Sequence, residues 1–78
     1  MENQNKDKNI FYYEDEPELE VIQKIVDGYF TIIPFADNRL MYVNEEGELK
    51  NLHINEEASK IVGYTIYGKV LIVGKTKD

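Results

Sequence analysis

The sequence predicts an α+β domain: a small, mostly antiparallel β-sheet with two helices, in the order β-α-β-β-β-α-β. Three observations carry that expectation. "DEPELEVIQKIVDG" has apolar residues at helical spacing, "YFTIIPF" and "RLMYVNE" flank the short connection "ADN" as a hairpin would, and "KVLIVG" is a nearly continuous apolar run.

Residues 1–9, "MENQNKDKN", are polar and expected to be a flexible N-terminus ahead of a single domain over 10–78. "IFYYE" is rich in aromatics and reads as the first strand. In the helix that follows, Pro17 suits the first turn, and the surrounding carboxylates suit the positive end of its dipole. Leu19, Ile22 and Val26 form its apolar stripe, widened by Val21 and Ile25, and Gly28 stands where a C-terminal cap is wanted.

Pro34 cannot donate to a ladder, so the hairpin should place it at an edge or a bulge. "NEEG" then reads as a turn opened by Asn44, with Gly47 in the left-handed position, and "ELKNLHI" as a short extended segment. In "NEEASKIVG", Asn55 is an N-cap, Glu56 and Glu57 complement the dipole, Gly63 terminates, and Ala58, Ile61 and Val62 face inward. "KVLIVG" reads as a central strand covered on both faces.

Composition narrows the function classes. The 78 residues allow one small domain, and 42% apolar content places it among globular chains. No cysteine is present and only one histidine, so disulfides, thiolate metal sites and multi-histidine metal sites are excluded. A core this small gains from a partner subunit, which favours a homo-oligomer. The net charge of −6 argues against direct nucleic-acid binding. Without an apolar signal segment or a membrane-length run, the expected location is a cytoplasm.

Most polar residues have a structural explanation, and no nucleophile–base pair, calcium-loop spacing or phosphate-binding glycine loop is present, so the chain is expected to be no enzyme and to need no cofactor. The carboxylates Glu45, Glu46 and Glu48 fit a solvated turn. "EDEPELE" fits a charged first helical turn, with DNA mimicry as its functional alternative. His53 and Lys50 have no structural role legible in the sequence. Six tyrosines are many for this length, and Tyr64 and Tyr67, beside Gly63 and Gly68, are the pair expected to be exposed. Lys50, His53, Tyr64 and Tyr67 are therefore the expected ligand contacts, with the rings stacking on a planar guest. Arg39, Lys50, Lys60, Lys69 and Lys75 are dispersed along the chain.

The segments "DGYFTIIPF…MYVNEEGELKNLHINEEASKIVG…GKVLIVG" resemble a family of small phage and mobile-element proteins described as a domain of unknown function. Its pattern is a helix ending in V-G-G-Y, a hydrophobic hairpin, a V-D-E-x-G-x-L-x-x-L-P-x-N-x-x-A block and a closing G-D-hydrophobic-G strand. Val26, Gly28, Tyr29, Val43, Glu45, Gly47, Leu49, Leu52, Asn55, Ala58, Gly68 and Gly74 match it, within residues 17–74. Asp27 replaces the first glycine, Asn44 the aspartate, His53 the proline and Lys69 the final aspartate. The resemblance implies a phage protein in the host cytoplasm with an anti-defence role. One form is an oligomer that sequesters a nucleotide-type immune signal without catalysis. The alternative is an acidic inhibitor of a host defence or transcription enzyme.

Overall fold

The computed structural model describes residues 8–74. Four strands and two helices follow one another as β1 (Ile10–Tyr13), α1 (Leu19–Val26), β2 (Phe30–Ala36), β3 (Arg39–Asn44), α2 (Glu56–Val62) and β4 (Val70–Val73). They form an α+β domain with one mixed sheet in the order β1-β4-β3-β2. The β2/β3 and β3/β4 pairs are antiparallel, whereas β1 and β4 run parallel, Ile10 facing Val70 and Tyr13 facing Val73.

The apolar run of β4 is central, as its composition predicts. Val70 and Ile72 point to one face, where they join Ile10, Met41, Val43, Ile66 and Ala58 of α2. Leu71 and Val73 point to the other, where they meet Tyr42 and Ile22 of α1. The two helices thus cover opposite faces. On the α1 face the Phe30 and Tyr42 rings pack 5.3 Å apart at 53°, a tilted aromatic contact. Among the described residues no helix is long and apolar enough to cross a membrane.

The hairpin forms as expected, with Asn38 in the left-handed region at its turn. β2 is an edge strand with an irregularity between Pro34 and Ala36, so Pro34 sits at both of the places anticipated for it. Tyr29 accepts from the Glu45 N–H at 2.9 Å, which turns the backbone groups of residues 29, 31 and 33 toward β3. Pro34 therefore presents its missing N–H to the open edge, where it interrupts any further pairing.

Several local expectations are corrected. "ELKNLHI" is not a strand: residues 45–51 form turns, and only an isolated bridge between Ile54 and Tyr67 remains. The element order is therefore β-α-β-β-α-β. Gly47 does not take a left-handed conformation; Asn51 does, at φ 63°. Gly47 is instead a close-packing position, because a Cβ there would stand 2.8 Å from Tyr67 Cβ. Pro17 precedes the first turn of α1, whose N-cap is Glu18, and Leu19 is exposed. At the other end of α1, Asp27 rather than Gly28 takes the left-handed cap conformation, at φ 69°. On α2, Ala58 is buried and Val62 half-buried, but Ile61 is exposed.

Two buried asparagines tie these elements together. Asn44 Nδ2 donates to the Val26 and Asp27 carbonyls at 2.8 and 3.1 Å, and its Oδ1 accepts from the Glu46 N–H at 2.7 Å. One side chain thus closes the C-terminus of α1 and starts the turn after β3. Asn55 caps α2 by accepting from the Ala58 N–H at 3.0 Å, as its position in the sequence predicts. Its Nδ2 also donates to the carbonyls of Asn9 (3.0 Å) and Gly68 (2.9 Å). Asn9 further accepts from the Val70 N–H at 3.0 Å, so this residue is held at the start of β1. The rest of the expected flexible N-terminus, apart from Lys8, lies outside the described residues.

Glu16, in the segment before α1, reaches the sheet. Burial first, then the Glu16 charge and a hydrogen bond to its carboxylate, hold the Tyr42 phenol above the usual tyrosine range.

Two outcomes are expected. Asn55→Asp keeps an oxygen for the helix cap but loses both amide donors and buries a charge. It should cost about 3 kcal/mol in urea unfolding, and a variant as stable as the parent would show that the two donated bonds are dispensable. The raised Tyr42 pKa favours the folded state fully below pH about 10, and that contribution is lost as pH rises toward the folded value. The urea midpoint should therefore fall more steeply above pH about 10 in the parent than in Tyr42→Phe; parallel curves would remove Tyr42 as the cause.

Candidate binding groove beside helix α1

The structure does not bring together the four residues expected to contact a ligand: three are divided between two concavities and Lys50 lines neither. His53 lines a cavity of about 280 Å³ together with Lys24, Asp27, Leu52, Gly68 and Lys69. Tyr64 and Tyr67 line a separate one of about 440 Å³ over β2 and β3. Lys50 reaches the first only through a lining residue: its Nζ donates to the Asp27 carbonyl at 2.9 Å, passing across Gly28, where a Cβ would meet it at 2.8 Å. Lys50 therefore has a structural role at the negative end of the α1 dipole. Tyr64 is exposed and Tyr67 half-buried.

The His53 cavity adjoins a neighbour of about 310 Å³ that shares Lys24, Ile25 and Lys69 with it and adds Phe11, Tyr13 and Val21. The two make one groove along the flank of α1. Its cationic end is built by three segments. The periodicity that buries Ile22 and Val26 leaves Lys24 on the flank of α1. Lys69 stands one residue before β4, and His53 comes from the loop before α2. His53 Nε2 lies 3.1 Å from Asn9 Oδ1, so the ring presents its N–H to that acceptor. The other end is aromatic, because Phe11 and Tyr13 alternate onto the α1 side of β1. Lys8 adds a further cation, its Nζ 4.7 Å from the centre of the Phe11 ring.

Basic charge is gathered by the fold rather than by the sequence. The described residues hold six basic side chains: Lys8, Lys24, Arg39, Lys50, Lys60 and Lys69. Four of these, all except Arg39 and Lys60, line this groove or contact a residue that does, with Asp27 the one carboxylate among the lining residues. Such a surface can hold an anionic group at Lys24 and Lys69 while a planar or apolar portion lies on Phe11, Tyr13 and Ile25. Phe11, Lys24 and Lys69 were not anticipated as site residues. The dispersal of lysines along the sequence carries no sign that the β1/β4 pairing and the flank of α1 bring these together.

Among the described residues, no three histidine, cysteine, aspartate or glutamate side chains group closely enough to hold a metal ion. No match was found among curated proteins or solved structures. A model of a domain of unknown function (DUF3846) matches residues 5–78, nearly the whole sequence, and the chain accordingly belongs to that family.

Proposed function

We propose that this protein is a non-catalytic binding protein that sequesters a small nucleotide-type ligand, and that the groove beside α1 is its receptor. The observation that carries this reading is the pairing of Lys24 and Lys69 at the junction of the two cavities, between a His53 end and a Phe11/Tyr13 end. A phosphorylated, planar ligand needs that combination of cations and ring faces. Of the residues expected from sequence to touch the ligand, His53 lines the groove and Lys50 braces the lining residue Asp27. Stacking passes from Tyr64 and Tyr67 to Phe11 and Tyr13. Removal of an immune signal in an infected host, by a phage-encoded homo-oligomer, is the setting that the sequence resemblance suggests.

Native mass spectrometry with cyclic dinucleotides and ADP-ribose derivatives tests this directly. One of them should remain bound intact, and Lys24→Ala with Lys69→Ala should weaken it about tenfold or more, while Tyr64→Ala leaves it unchanged. A protein that stays ligand-free with every compound would overturn the reading.

A second reading, an acidic inhibitor of a host enzyme, has its own support. Glu14, Asp15 and Glu16 precede α1, so the helix dipole does not account for them. They are exposed, as are Glu18, Glu20 and the flanking Tyr12, Tyr13 and Leu19. A complex formed through this segment should lose affinity steeply as salt rises, because exposed charges are screened beyond about 10 Å at 0.1 M. Affinity independent of ionic strength would count against it.

A further inference from the structure

The concavity over β2 and β3 has chemistry opposite to that of the α1 groove. Its floor is Thr31, Ile33 and Val43, on the face of the sheet that α2 covers. α2 has seven residues and is roughly 10 Å long, whereas four strands span about 14 Å between the outer two. Ala58 and Val62 seal the part of that face around Ile10, Met41 and Ile72. Beyond them the sheet is left open, and the segment Tyr64–Tyr67 and the turn after β3 form walls around the gap.

Those walls carry two carboxylates, Glu45 and Glu48, and two phenol rings, Tyr64 and Tyr67. No lysine, arginine or histidine is among the lining residues. Asn44 also borders the cavity, but its side chain is committed to Val26, Asp27 and Glu46. The turn that presents the carboxylates is fixed by that asparagine and by the contact of Gly47 with Tyr67. A concavity of about 440 Å³ with an apolar floor, two carboxylates and two ring faces is complementary to a cation on an apolar stem.

We propose that this concavity is a docking site for a basic segment of a partner protein, taking a lysine or arginine side chain between the Tyr64 and Tyr67 rings and the Glu45 and Glu48 carboxylates. The volume exceeds that of one such side chain, which favours a peptide segment over an isolated group. The open sheet floor takes the apolar stems, and the carboxylates select positive charge. This site is independent of the anion groove on the α1 side, and the two can be occupied at once.

The test is an NMR titration of the full chain with a capped tetra-arginine peptide, using spermidine and tetra-glutamate as comparison probes. The peptide should shift the amides of Thr31, Val43, Tyr64 and Tyr67. Glu45→Gln with Glu48→Gln, both exposed positions, should weaken it about tenfold, and so should Tyr64→Ala. Neutralising Glu14, Glu16 and Glu18 should leave the shifts at the four amides in place. Shifts confined to residues 14–20 would overturn the proposal, as would no shifts at all. Spermidine binding as tightly as the peptide at the same amides would replace the protein partner with a free polyamine.

Discussion

The fully buried side chain of Asn55 holds together three segments that are far apart in the sequence. Its oxygen caps α2, its nitrogen donates to Asn9 at the start of β1 and to Gly68 at the approach to β4, and its N–H donates to the Ile66 carbonyl at 2.8 Å. Ser59 completes the arrangement, donating its hydroxyl to the Asn55 carbonyl at 2.7 Å while accepting from the Ile66 N–H at 2.8 Å. An interior polar group is tolerable only when its partners are present, and here every polar atom of the Asn55 side chain has one. The parallel β1/β4 pair joins the two ends of the domain, a contact whose loop-closure cost a small core must offset. Asn55 adds a directional constraint to the register that burial of the strand already favours.

Once that pair is in place, the rest of the architecture is constrained. β4 lies between β1 and β3, and its alternating side chains must be buried on both faces. Each face receives one helix of seven or eight residues, which is too short to cover four strands. The uncovered remainders are the two concavities. On the α1 side the gap falls beside β1, where Lys69 and Phe11 are available; on the α2 side it falls over β2 and β3, where the Asn44 turn contributes carboxylates. The position of the two surfaces therefore follows from strand order and helix length, and their opposite charge from the side chains the sequence places there.

Elements governed by local chemistry were legible in the sequence. The apolar stripe of α1, the Asn38 hairpin, the Asn55 cap, the Gly63 terminus and the buried β4 all rest on residues within a turn or two of one another. The segment "ELKNLHI" was not, because its leucine spacing resembles a strand while its conformation is set at a distance. Asn44 is bound to the end of α1, Gly47 is pressed against Tyr67, and Leu49 is left 85% exposed. The same reason hid most of the groove. His53 was singled out for lacking a structural explanation, but Phe11, Lys24 and Lys69 come from three segments far apart in the sequence and make no motif. Lys50, singled out for the same reason, has a structural role at the α1 terminus.

Net charge is a poor guide to what this surface can bind. A total of −6 argues against general affinity for a polyanion, because a long phosphate backbone samples the whole field of the protein. A ligand a few ångströms across samples only its own cleft, since charges beyond about a Debye length are screened. Within that range the α1 groove presents Lys24, Lys69 and Lys8 against Asp27 in its lining and Glu20, one helical turn before Lys24 on α1. In the proposed function, the acidic remainder would disfavour nucleic acid while the lysines of the groove would favour a small anion. Under the proposed function, selection by size would come from placing a few cations in a concavity of a chain whose net charge is negative.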